Sequence, residues 1–143
     1  RISALSCSKT FTRKEIDNLT EEVKSTGTSG LAFATNNGKT LEQGISKFLS
    51  PAIQKQLISK TKKGDTLFFI ADKKITSLKA AGHLRKLLAK ELNLIDTKKF
   101  EFCWVTDFPL FAYNKDAKRW EPEHHIFTSP KQEHIGILEK EGI

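Results

Sequence analysis

The stretch KKITSLKAAGHLRKLLAKELNLID, Lys73 to Asp96, sets the tightest limit on what this chain can fold into. It is the longest helical signal present, with Leu84, Leu87, Leu88 and Leu92 on one broad face. A helix apolar along one face has to bury it against another layer. The residues just before it offer that layer, because KKGDTLFFIAD reads as a tight turn into a buried strand, Leu67 to Ala71. Two earlier segments carry strand signals: RISALSC alternates weakly, and GLAFAT is short and apolar, followed by the turn residues NNGK. Between them Thr12 and Glu15 stand in the spacing of a capping box. Ile16, Leu19 and Val23 then repeat at helical intervals, and that helix is expected to end near Gly27. From Gly44 the period is helical again (Ile45, Phe48, Leu49), is interrupted at Pro51, and resumes with Ile53, Leu57 and Ile58. The expected order is strand, helix, strand, helix pair, strand, long helix: an α+β unit over residues 1–97.

After the polar DTKK the character changes. FEFCWVTDFPLFAYN is dense in aromatic side chains, and Phe100, Phe102 and Trp104 alternate with Glu101 and Cys103 as in a strand. Asn114 to Lys118 reads as a polar turn and RWEPEHHIF as the returning partner strand, so residues 98–143 are expected to form a second, smaller piece. The whole chain has 143 residues, 38% hydrophobic and 29% charged, within the range of a globular domain. No apolar run reaches the roughly 18 residues a membrane helix needs, and RISALSCSKTF lacks the apolar core of a signal peptide. Methionine is absent, which hints at a segment cut from a longer chain. Cys7 and Cys103 lie far apart without a CxxC pair, the pattern of reduced thiols rather than of a disulfide framework. The net charge of +7, from 24 Lys and Arg against 17 Asp and Glu, favours a phosphate-rich partner, or else describes a solvated lysine surface.

Neither common phosphate-cradling loop occurs, GxGxxG or GxxxxGK[ST]. EHIGILE invites comparison with the HIGH signature of class I synthetases, but the fourth position is Ile137 and no nucleotide-binding βαβ pattern surrounds it. A zinc site on His124, His125 and His134 fails on spacing, since adjacent histidines on a strand point to opposite faces and no HExxH supports them. Ser129 has no nucleophile elbow, and His83 and Arg85 read as boundary residues of the long helix. Two readings remain for the His124–His125 pair. One imidazole faces a pocket, where it can both donate and accept a hydrogen bond, or both are solvated. Asp107 is held at an extended strand end by Pro109, and either takes part in a site or caps a turn.

WVTDFPLF followed by HHIFTSPK resembles bacterial-type aspartyl-tRNA synthetases, with two motifs in the right order and spacing. TRKEIDNL, SGLAFA, ISKFLS, GDTLFFIAD and GHLRKLLAKELNLID are similar to the GAD-type insertion domain that such enzymes carry within the catalytic domain. Ala112 and Ile126 depart from the pattern, standing where the family usually has Glu and Pro. The resemblance implies a GAD-type domain with a small sheet flanked by helices over residues 1–97. A strand pair from the antiparallel sheet of a class II catalytic domain then occupies residues 98–143. It implies that His124, and after it His125, contacts the L-aspartate substrate, with Asp107, Phe108 and Pro109 as structural residues of a neighbouring strand. For the full enzyme it implies ATP and Mg²⁺, tRNA(Asp), a homodimer, and a bacterial cytoplasmic or organellar setting, with no membrane.

Class II activation rests on arginines and Mg²⁺ aimed at the reacting phosphates. Here no Gly-rich segment leads to an arginine, and the only arginines are Arg1, Arg13, Arg85 and Arg119. The chain is therefore expected to be a fragment with no catalytic residue, cofactor or metal of its own, and one that can be monomeric. Two alternatives stand beside it: a free-standing basic module that binds tRNA or another RNA, and a GAD-containing part of a tRNA-dependent amidotransferase.

Overall fold

The computed structural model describes residues 1–107, 109–114, 116–123 and 129–141. Two compact units divide the chain, Arg1–Lys98 and Lys99–Ile143. The first contains β1 (Ile2–Cys7), α1 (Arg13–Lys24), β2 (Ala32–Asn36), β3 (Leu41–Glu42), a 3₁₀ turn (Ser46–Phe48), α2 (Pro51–Ser59), β4 (Thr66–Ala71) and α3 (Lys74–Glu91).

Local chemistry sets two of the three helix starts. Thr12 caps α1 by accepting from the Glu15 amide at 3.3 Å, while Glu15 accepts from the Thr12 amide at 2.6 Å, the reciprocal pair its spacing predicts. Ser50 accepts from the Ile53 amide at 3.4 Å, and Pro51 follows it where a missing N–H costs nothing. α3 begins at Lys73 without a side-chain cap, so packing rather than capping holds it.

All strand pairs of the first sheet are antiparallel, in the order β1-β4-β2-β3. β4 is central and is covered on both faces, which explains its unbroken apolar run. Phe68 and Ile70 point into a core with Cys7, Phe11, Ile16, Leu19, Val23, Ala80, Leu84 and Leu88, contributed by β1, α1, α3 and the loop after β1. Phe11 meets Phe68 edge-on, with ring centroids 5.4 Å apart. On the opposite face Leu67 and Phe69 join Ala34, Leu41, Leu49, Leu57 and Ile58, so α2 lies over that side.

Three features of this unit differ from the sequence expectations. The apolar residues 45–49 form a short 3₁₀ turn rather than a helix, and Phe48 is 77% exposed. α2 has no fully buried residue, because it covers only part of its face of the sheet and its apolar stripe stops at the boundary. The third change is β3, only two residues long and set by the β2–β3 turn rather than by a pattern of its own. Gly44, just beyond it, has φ +45, and a Cβ there would lie 2.0 Å from the Phe33 carbonyl oxygen, so the backbone approach needs glycine.

Two polar clusters tie loops to this frame. Lys9 pairs with Glu15 at 2.8 Å and with Glu91, joining the β1–α1 loop to the start of α1 and the end of α3. The Lys9 ammonium, with the Thr12 amide behind it, holds the Glu15 carboxyl down to about 2. The carboxylates of Glu15 and Glu91 in turn push Lys9 up. Asn36 is 1% exposed and bonded at every polar group. Its side chain donates to Thr61 Oγ1 at 2.9 Å and accepts from the Gly38 amide at 2.7 Å. Its backbone N–H donates to Asp65 at 2.9 Å and its carbonyl accepts from Gly64 at 2.7 Å. This single residue fastens the β2–β3 turn to the α2–β4 turn.

Candidate functional site

The second unit is built on a hairpin of β5 (Phe111–Asn114) and β6 (Arg119–Pro122), in register from Phe111↔Pro122 to Asn114↔Arg119, followed by α4 (Gln132–Glu141). The Asn114 side chain accepts from the amides of Asp116 and Ala117, both at 3.0 Å, and so shapes the turn it begins. Its amide nitrogen donates to Glu121 at 2.9 Å, and the Arg119 guanidinium meets the other oxygen of Glu121 at 2.9 Å. These two donors hold the Glu121 carboxyl below its usual range. Across the hairpin Tyr113 and Trp120 stack edge-on at 5.5 Å. The ladder continues one step beyond the strands, where the Glu123 amide donates to the Leu110 carbonyl at 3.0 Å.

That last bond brings a braced backbone to the residue before the histidine pair. His124 and His125 themselves lie outside the described residues, as does Phe108. Asp107 is described and differs from the strand residue expected: it sits in a bend with φ +58. Its carboxylate pairs with Lys131, and the Lys131 ammonium, with the Thr106 hydroxyl, holds that carboxyl below its usual range. Asp107 belongs to WVTDFPLF and Lys131 to HHIFTSPK, so one ion pair clasps the ends of the segment that holds the hairpin and both histidines.

Phe100, Phe102 and Trp104 form no strand; residues 99–106 have no regular structure, and these rings are 82%, 98% and 96% exposed. Alternation alone makes no strand without an edge to bond to, and no described strand pairs with this stretch. EHIGILE lies within α4, where His134 approaches Glu133 at 3.7 Å. Among the described residues no three His, Cys, Asp or Glu side chains gather as a metal set. Cys7 is buried and Cys103 exposed, both as free thiols, and burial pushes the Cys7 thiol up. His83 links α3 to α1 through Glu22 at 3.4 Å, a boundary role. No described helix is long and apolar enough to cross a membrane.

A small antiparallel sheet with one helical pair on one face and α2 on the other is the architecture of the first unit, and the family model of the GAD domain matches residues 1–81. The chain belongs to the GAD domain family. Similarity runs on past that domain to proteins of a named activity. An aspartate–tRNA(Asp/Asn) ligase of Hydrogenobaculum sp. is 46% identical over 136 residues, 94% of this chain and 23% of the relative. The aspartate–tRNA ligase of Halalkalibacterium halodurans is 46% identical over 131 residues, 90% of this chain and 22% of its own. That of Staphylococcus haemolyticus is 42% identical over 142 residues, 98% and 24% respectively. The chain thus spans about a quarter of the length of the relatives it matches.

Proposed function

We propose that this chain is part of an aspartate–tRNA ligase, with residues 1–97 as its GAD-type insertion domain and residues 98–143 as an adjoining piece of the class II catalytic domain. The observation that carries the reading is the extent of the likeness: 46% identity over 94% of the chain crosses from the first unit into the second, well past residue 81 where the GAD match ends. A part of an amidotransferase that shared only the GAD domain would not be similar through WVTDFPLF and HHIFTSPK.

In this reading the whole enzyme joins L-aspartate to ATP with Mg²⁺ and passes it to tRNA(Asp), as a homodimer in the compartment where translation occurs, the bacterial cytoplasm. The described residues do not fit ATP or Mg²⁺. Arg13 and Arg119 are engaged by Asp17 and Glu121, and no carboxylate cluster is present among the described residues. In this reading the chain alone activates no aspartate, and its contribution is to hold substrate. His124 is the first choice for the aspartate contact and His125 the second. A neutral imidazole accepts a hydrogen bond from an ammonium through one nitrogen and donates through the other.

Losing a hydrogen bond to a charged group costs roughly 1.5–3 kcal/mol, about ten- to a hundredfold. In a ligase that contains this chain, His124→Ala should raise the KM for aspartate in pyrophosphate exchange by that factor, leaving the KM for ATP nearly unchanged. If His124→Ala and His125→Ala both leave the aspartate KM where it was, the pair is not in the substrate pocket.

A further inference from the structure

The two turns that Asn36 fastens together carry a concentration of positive charge that the substrate site does not use. Residues 36–66 hold six lysines against Glu42 and Asp65. Both carboxylates are already engaged, Glu42 by the Asn37 side chain and Asp65 by the Lys62 amide at 2.9 Å. Four of the lysines sit in the joined turns: Lys39 after β2, and Lys60, Lys62 and Lys63 before β4. All four are exposed, and among the described residues none is within ion-pair distance of a carboxylate. The turns are in contact, since a Cβ on Gly38 would lie 3.4 Å from the Lys63 side chain. The Lys9–Thr10 loop is tied to the same end of the sheet, through Thr66 Oγ1 to the Lys9 carbonyl at 2.7 Å and Thr10 Oγ1 to the Gly64 carbonyl at 3.3 Å.

We propose that Lys39, Lys60, Lys62 and Lys63 form a binding surface for the phosphate backbone of RNA, positioned by the buried Asn36. A polyanion lying across four exposed, unpaired ammonium groups would gain their combined attraction, screened by salt. Side chains between the lysines are polar or absent, at Asn37, Gly38, Thr40, Thr61 and Gly64, so the patch lacks the apolar wedge of a membrane surface. It also lacks the aromatic core of a protein interface, where lysine is depleted. Lysines without base-reading partners bind phosphate by charge, with counterion release and little sequence preference. The choice of RNA over other polyanions rests on the ligase reading; the charge geometry does not.

The test is fluorescence anisotropy of this chain with a labelled RNA hairpin, titrated at several salt concentrations. The variant K39Q/K60Q/K62Q/K63Q is compared with K74Q/K79Q/K86Q/K90Q, which removes the same charge from exposed positions on α3. Each neutralised phosphate contributes about 0.7–0.9 to the slope of log affinity against log salt. The turn variant should lose at least tenfold in affinity at low salt and about 3 from the slope, while the α3 variant keeps its slope within about 1 of wild type. K62Q/K63Q should give about half the effect. Equal losses in both four-lysine variants, no measurable binding by the wild type, or tighter binding of phosphatidylserine vesicles than of RNA would each overturn the proposal. A ligase with normal aspartylation and a salt slope unmoved by the turn variant would sink this surface alone. A chain that binds RNA through these lysines but belongs to an enzyme without aspartate activation would sink the ligase reading alone.

Discussion

Glu15 is hydrogen-bonded from both sides, by the Lys9 ammonium and by the Thr12 amide, and this fixes how the first unit responds to acid. Its carboxyl is held down to about 2 in the folded chain against an ordinary 4.5, so the unfolded chain binds the proton first. The stabilisation Glu15 provides is complete above its unfolded pKa and is lost as pH falls through 4.5 towards about 2. Urea midpoints measured across that window should therefore converge for wild type and Glu15→Gln, and a constant gap would show that Glu15 acts only as a helix cap. Gly44 makes a sterner demand. Its positive φ and the 2.0 Å approach of a Cβ to a backbone oxygen leave no flexible neighbour to yield. Gly44→Ala should destabilise by well over the ~1 kcal/mol at stake in an ordinary glycine substitution, seen as a lowered urea midpoint with m unchanged.

At the level of elements, what was legible in the sequence was what is decided locally. Thr12 and Glu15 are three residues apart, and both partners of their cap can be read together. Leu84 and Leu88 are buried because the leucine face of α3 had one sheet to cover. The central strand was legible too, since Leu67 to Ile70 is apolar on both faces. Where the partner is distant the signal fails. The helical spacing of Ile45, Phe48 and Leu49 is the same whether a helix or a 3₁₀ turn forms, and the length allowed by β3 and Pro51 decides it. Phe100, Phe102 and Trp104 alternate as a strand does, but a strand exists only by pairing. No spacing announces Asn36 as a clamp, because Thr61, Gly64 and Asp65 are far along the chain from it. Asn36→Ala should leave the Gly38 amide without its acceptor and remove the bond the Thr61 hydroxyl accepts, at about 1–3 kcal/mol. Hydrogen exchange at Gly38 would then speed up well before global unfolding; unchanged protection there would mean the turns are held by other contacts.

For the molecule as a whole, the first unit encloses its own cores on both faces of one sheet, and among the described residues none of the side chains in them comes from beyond Leu92. Residues 1–98 expressed alone should unfold in one cooperative transition, with stability nearly equal to that of the same unit in the whole chain, followed by far-UV circular dichroism in urea. Loss of cooperativity would show that the second unit is needed to complete the first. Of the proposed substrate site, the sequence supplies the motif, and the described residues before and after it are joined by the Leu110–Glu123 bond and the Asp107–Lys131 pair.

The pairing of β1 with β4, from Ile2↔Ala71 to Cys7↔Thr66, also sets a clock on synthesis. Strand β1 is synthesised before the strand it bonds to, because β4 is made some sixty residues later. At roughly 5–20 residues per second that is a wait of about 3–12 s. During it Leu5 and Cys7 have no sheet to face, and the helix α1 that will cover them has no strand to lie on. This unit is thus open to chaperones, and to oxidation at Cys7, in the interval that ends when Thr66–Ala71 slides between β1 and β2.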